Sequence, residues 1–206
     1  MPYHFGIKLG NSKYSLNINR DEYAIIDNRS SFSKGYIYSN EQCEKMQEDA
    51  LKNFDLNMKY FSQLDKDEFN NAINEFIQKE NFKEVFNLTE YVGVSGYYLM
   101  VLDNFNQAYI GTSSNIKKRI HSHWNKRHSF DRLVFGGVEK SIISIDSFRV
   151  LDTTRIFALE SDLTFINENK YLNSLPYKFM LNRTCGGRLE NRLLEAIHNR
   201  RVRELT

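Results

Sequence analysis

Two tyrosines, Tyr98 and Tyr109, precede an arginine, Arg119, with His123 one helical turn further on. A carboxylate, Glu160, and an amide, Asn182, follow. Together they could supply what phosphodiester hydrolysis needs: a proton acceptor, a positive clamp, a metal ligand and an orienting group. Each residue also has an ordinary structural use, and the chemistry depends on their meeting in one place.

The tyrosines fall in two apolar, aromatic runs, 96–102 and 108–112, separated by the turn-like Asp103-Asn104-Phe105-Asn106-Gln107. This predicts a β-hairpin. Side chains alternate along a strand, so Tyr97 and Tyr98 face apart, and Tyr109 shares a face with Gly111. A glycine there leaves room for a phosphate to approach the backbone. Equally, both rings could simply pack in the sheet, where aromatics are favoured. A helix is expected over 115–126, capped by Ser114 or Asn115. Ile116, Ile120 and Trp124 form its buried stripe. Arg119 and His123 lie about 100° round from that stripe, at the border of core and solvent. A guanidinium there can grip a phosphate through two hydrogen bonds. Lys117, Lys118, Lys126 and Arg127 add charge to the outer face and, with Arg188, are candidate nucleic-acid contacts. A solvated basic face is the alternative.

Glu160 stands out within a helix expected over 154–169. Ile156, Leu159, Leu163 and Ile166 mark its apolar face, and Glu160 falls within or beside it. An inward carboxylate is costly unless paired or metal-bound. Mg²⁺ commonly takes one or two protein carboxylates, while a salt bridge to Arg119 or Arg149 would also satisfy the charge. Asp162 and Glu168 read as surface acids. Asn182 precedes Arg183-Thr184-Cys185-Gly186-Gly187. Its amide could orient a tyrosine or phosphate oxygen, or serve turn chemistry alone.

The remaining elements must carry these side chains. Alternating residues over 5–9 and 14–18, around Gly10-Asn11-Ser12, predict an N-terminal hairpin, with two further short strands near 23–26 and 35–38. A helix over 40–63 has Leu51, Phe54, Met58 and Phe61 as its buried stripe and Ser39 or Asn40 as its cap. A second covers 66–80 through Phe69, Ile73 and Phe76, and 81–93 connects the halves. A further strand is expected within 141–151, and a basic helix from about 189 carries Arg188, Arg192, Arg200, Arg201 and Arg203 as a candidate DNA contact or a packed amphipathic face.

The 206 residues, 41% hydrophobic and 14% aromatic, belong to a folded globular chain. No apolar run reaches the roughly 18 residues of a membrane helix, and the N-terminus lacks a secretory pattern, so a cytoplasmic protein is expected. Cys43 and Cys185 fit no metal spacing, which argues against structural zinc. Residues 1–90 carry 11 Lys+Arg against 15 Asp+Glu, and residues 91–206 carry 17 against 11. The basic half suits a polyanion, whose condensed counterions are released on binding.

Taken together and in order, Gly96-Tyr97-Tyr98, Tyr109-Ile110-Gly111, Arg119, His123, Glu160 and Asn182 resemble the GIY-YIG nuclease family over roughly 94–188. Tyr97 replaces the isoleucine of the first motif, and Thr112-Ser113-Ser114 stands where repair-type members often have lysine. The resemblance implies an α+β fold, a small mixed β-sheet flanked by helices, in a nuclease domain over 91–206. Residues 1–90, on which the resemblance is silent, are expected to form an N-terminal α/β extension of unknown role, with dimerisation or the binding of another protein as its candidate uses. It also implies a catalytic set of Tyr98, Tyr109, Arg119, His123, Glu160 and Asn182, with Glu160 holding one Mg²⁺ or Mn²⁺. Tyr109 would act as general base, its pKa lowered by Arg119, His123 and the metal. Tyr98 and Asn182 would position water and phosphate. The implied activity is metal-dependent cleavage of DNA, duplex above all, to 5′-phosphate and 3′-hydroxyl ends, in a restriction, defence or mobile-element enzyme and possible homodimer. The alternatives are a catalytically silent nucleic-acid-binding module, an RNA nuclease, or a protein-interaction domain.

Overall fold

The structure is a computed structural model, and it describes residues 2–10, 16–23, 38–125, 137–162, 166–184 and 201–203. The chain is a mixed α/β fold. In order it forms β1 (Tyr3–His4), β2 (Ile7–Lys8), α1 (Arg20–Tyr23), α2 (Asn40–Ser62), α3 (Lys66–Glu80) and β3 (Lys83–Glu84). There follow β4 (Gly96–Leu102), β5 (Gln107–Ser113), α4 (Ile116–Asn125), β6 (Arg155–Glu160) and α5 (Glu168–Asn173). Strands β3-β6-β4-β5 make the central sheet in that order, and β1 pairs with β2.

Local chemistry explains the elements that were foreseen. Ser39 caps α2 in a reciprocal capping box with Gln42. Asp65 caps α3 through the Glu68 amide, and Asn81 ends it in a left-handed conformation. Asn115 caps α4, accepting from the Lys118 amide at 2.9 Å. The β4–β5 hairpin pairs Tyr98 with Gly111 and Met100 with Tyr109. Strand alternation splits its side chains between two cores. Tyr98, Met100 and Leu102 pack on one face with Ile116, Ile120 and Trp124 of α4. Tyr97, Leu99, Val101 and Ile110 pack on the other with Tyr171 and Leu172 of α5.

The expected boundary after residue 90 falls inside the central sheet, because β3 pairs with β6. The two N-terminal helices cover opposite faces of that sheet. Ala50, Phe54 and Phe61 of α2 join the first core, while Phe69, Ile73 and Phe76 of α3 join the second. Leu64, between the helices, packs against both, and its carbonyl accepts from Asn106 in the β4–β5 turn at 3.0 Å. The chain therefore crosses round the turn end of the sheet. Burying one such phenylalanine contributes on the order of 2–3 kcal/mol, so the first ninety residues are integral to the sheet's stability.

Several expectations change. The N-terminal hairpin is shorter and turns at Phe5-Gly6, with φ of 47° and 72°. No strand occupies residues 16–18. The strands expected near 23–26 and 35–38 fall largely outside the described residues, and Tyr23 belongs to α1. The sheet is not mixed: its strand pairs are antiparallel, joined by one isolated parallel bridge between Ala108 and Met180. Residues 141–151 hold no strand: 141–144 are irregular, and 3-10 turns follow at Ile145–Ser147 and Val150–Asp152. Residues 155–160 form a strand rather than a helix. The unbroken apolar run Ile156-Phe157-Ala158-Leu159 fits a buried central strand as well as a helix face, and pairing with β3 on one side and β4 on the other decides it.

Candidate functional site

A cleft of about 330 Å³ opens beside β5 and is lined by Tyr109, Arg119, His123, Asp146, Glu168 and Asn182, among others. Four of the six expected catalytic residues line it, and Tyr98 stands directly behind. Strand β5 contributes Tyr109, and α4 contributes Arg119 and His123 one turn apart. The 3-10 turn Ile145–Ser147 brings Asp146, and the first residue of α5 brings Glu168.

Glu160 is not in the cleft. It ends β6 opposite Gly96, exposed to solvent and close enough to Tyr91 to affect its ionisation. The inward carboxylate is Glu168, which is only 8% exposed. A sequence signal for it exists: Glu168, Tyr171, Leu172 and Leu175 recur at intervals of three, one and three, so Glu168 continues the apolar face. The helix misread over 154–169 hid that pattern. The phenol oxygen of Tyr97 accepts from the Asn167 amide at 3.1 Å, and its ring meets Tyr171 edge-on at 4.8 Å. Tyr97 thus anchors the start of α5. Lys170 adds a 2.7 Å bridge to Glu80 of α3.

Behind the cleft wall, the Tyr98 hydroxyl lies 2.8 Å from His123 Nε2, and His123 Nδ1 contacts the Asp146 carboxylate. His123 is buried, not at the solvent border. Asp146 had no sequence signal, since its placement depends on a loop held from far away. Asn57 of α2 donates to the Ser141 carbonyl at 3.0 Å and accepts from the Ile143 amide at 3.2 Å. The N-terminal helices therefore support both carboxylates at the cleft, one through Asn57 and the other through Glu80.

Both site tyrosines are pushed up, where a lowered pKa was expected for Tyr109. Burial raises Tyr98 well above the usual phenol value, reinforced by Tyr109 and opposed by Arg119. Burial, then the Glu168 charge, raises Tyr109 to about 12 against the pull of Arg119. Desolvation outweighs the guanidinium, so both phenols are protonated at neutral pH. The stability consequence has a definite sign. The folded chain holds these protons where unfolded tyrosines, near 10, release them. Their stabilising contribution is whole below about pH 10 and falls away as the pH rises toward about 12. Denaturant unfolding across that window should show declining stability, with a shallower decline for Tyr109→Phe; equal slopes for the two proteins would contradict the assignment.

Gly111 keeps the tyrosines in place. A Cβ there would overlap Tyr98 Oη and Cζ and lie 3.0 Å from Tyr109 Cε1. The space beside Gly111 is filled by the Tyr98 phenol, not left open for a phosphate. Asn182 is likewise committed to the backbone: its Oδ1 accepts from the Ile110 amide at 3.1 Å and its Nδ2 donates to the Ile110 carbonyl at 2.8 Å. It completes the open edge of β5 instead of orienting a tyrosine.

Of the expected nucleic-acid contacts, Lys118 is exposed and Lys117 half-buried on α4. Lys126, Arg127 and Arg188 lie outside the described residues, as do Arg192 and Arg200 of the expected C-terminal helix. Residues 201–203 are not helical. Arg203 is buried and donates to the Glu139 carbonyl at 2.6 Å, so it packs rather than facing a ligand. Arg183 and Thr184, not foreseen as contacts, line the cleft.

Among the described residues, no three His, Cys, Asp or Glu side chains gather as a metal cluster, and no helix is long and apolar enough to cross a membrane. Two carboxylates line the open cleft: Asp146 is engaged by His123, and Glu168 fits a Mg²⁺-type ion that draws its other ligands from water and phosphate. No protein-family model, curated protein or solved structure matches the chain.

Proposed function

We propose that this protein is a divalent-metal-dependent endonuclease of GIY-YIG type, cutting DNA to 5′-phosphate and 3′-hydroxyl ends. The observation that carries the reading is the convergence of Tyr109, Arg119, His123 and Glu168 on one cleft. These residues come from a strand and two helices that pack together only in the folded chain. Glu168 takes the metal-holding role that the family pattern had placed on Glu160. Mg²⁺ or Mn²⁺ bound there would supply Lewis-acid charge to the scissile phosphate and the leaving 3′ oxygen.

The protein's own groups do the rest. Arg119 holds a non-bridging phosphate oxygen and stabilises the negative charge that grows as water attacks phosphorus. Tyr109 presents a neutral phenol to the cleft and orients the attacking water. Starting as a neutral phenol, it takes the water's proton only as it passes its own to a non-bridging phosphate oxygen. Asn182 fixes the β5 edge from which Tyr109 projects. The basic balance of residues 91–206 and exposed Lys118 favour a polyanionic substrate. One cleft cuts one strand, so a double-strand break calls for a second copy.

The test is cleavage of supercoiled plasmid, single-stranded DNA and RNA by the full chain with Mg²⁺, Mn²⁺ or EDTA. Metal-dependent nicking or linearisation of plasmid, in preference to the other substrates, is expected. Preference for RNA would change the substrate class, and inactivity on all three would overturn the enzyme reading.

A further inference from the structure

Resting on that reading of the cleft, we infer that Asp146 is a positioning residue that sets the direction of a hydrogen-bond chain through His123 to Tyr98, behind the cleft wall. The donor inventory forces the direction. The Asp146 carboxylate can only accept, so the His123 Nδ1 that meets it carries the ring proton. In the neutral ring Nε2 is then an acceptor, and the Tyr98 hydroxyl beside it must donate its proton. His123 Nε2, at 2.8 Å, is where it points. The carboxylate has no proton to give, so it ends the chain and selects the tautomer.

Reversing the chain would put an Nε2–H against the Tyr98 oxygen, beside a phenol that the Arg119 charge already acts on. The Tyr98 proton would lose its acceptor, and the dipole it sets beside the Arg119 charge would turn with it. His123 and Tyr98 are almost wholly buried, so water is poorly placed to compensate. The turn carrying Asp146 is held independently: the Ser144 hydroxyl accepts from the Asp146 amide at 3.2 Å, and Asn57 holds residues 141–143. Asp146→Asn therefore removes the charge without removing the loop's anchors, and its amide can turn its NH₂ toward Nδ1.

Two measurements on the full chain test this. Nitrogen-15 NMR of histidine-labelled protein should show neutral His123 protonated at Nδ1, and in Asp146→Asn a shift toward the Nε2–H form. Plasmid cleavage by Asp146→Asn should lose about 100-fold in kcat with KM nearly unchanged, and Asp146→Glu should recover part of it. An Nε2–H or doubly protonated His123 in the wild type would overturn the inference, as would an Asp146→Asn protein with wild-type kcat. A wild type that shows the Nδ1–H form but cuts no substrate would overturn the cleavage reading, and the catalytic use of the chain with it.

Discussion

Glu168→Gln is expected to lower metal-dependent cleavage by about 10³-fold, while Glu160→Gln leaves it within about twofold. The two carboxylates are eight positions apart, but only one faces the cleft. Glu168 is buried among cleft residues, and Glu160 is exposed at the end of β6. Glutamine preserves volume and removes the charge that would hold a hard cation. A readout independent of activity accompanies the variant. The Glu168 charge helps to raise Tyr109, so its removal should lower the Tyr109 pKa from about 12 in an ultraviolet tyrosinate titration. If Glu160→Gln is the variant that loses cleavage, the metal-holding role lies at the strand end and the cleft assignment is wrong. If Glu168→Gln leaves the tyrosinate titration unmoved, the two groups are not neighbours in the folded protein.

Gly111→Ala should destabilise the fold by about 3 kcal/mol and abolish cleavage with it. The new methyl would overlap Tyr98 Oη and Cζ, and Tyr98 cannot easily retreat. Its ring is fully buried, and its hydroxyl is engaged by His123 at 2.8 Å. The nearest relief is to push the ring out of line or spread β5 from β4, and both break contacts in a packed core. A denaturant midpoint measures the cost, and a second background isolates its cause. In a Tyr98→Leu protein the same glycine substitution should cost much less, because the clashing atoms are gone. Equal costs in both backgrounds would show that the strain lies in the strand rather than against the tyrosine.

Much of this architecture was legible because its causes are local. The spacing of Phe69, Ile73 and Phe76 placed α3 within its observed limits. Alternation in 96–102 put Tyr97 and Tyr98 on opposite faces, as found. The four-residue interval from Arg119 to His123 placed both on one helix, and both line one cleft. Misreadings arose where two periods fit the same letters. Residues 156–159 are apolar at every position, so neither the helical nor the strand repeat is favoured. That ambiguity carried the carboxylate assignment to Glu160 and left Glu168 among the surface acids.

The sequence by itself determined the hairpin, the long helices, the faces of the tyrosines and the arginine–histidine pair, because hydrophobic period and capping act over a few residues. Only the tertiary structure decided which carboxylate turns inward, that burial raises the tyrosines instead of Arg119 lowering them, that Asn182 is spent on the β5 edge, and that Asp146 reaches His123. Each of those depends on what distant segments bring to one point. The turn of Asp146 and the helix of Glu168 are held through Asn57, which bonds residues 141 and 143, and Glu80, which pairs with Lys170; these lie 89 residues before Asp146 and 88 before Glu168, and no local pattern records them.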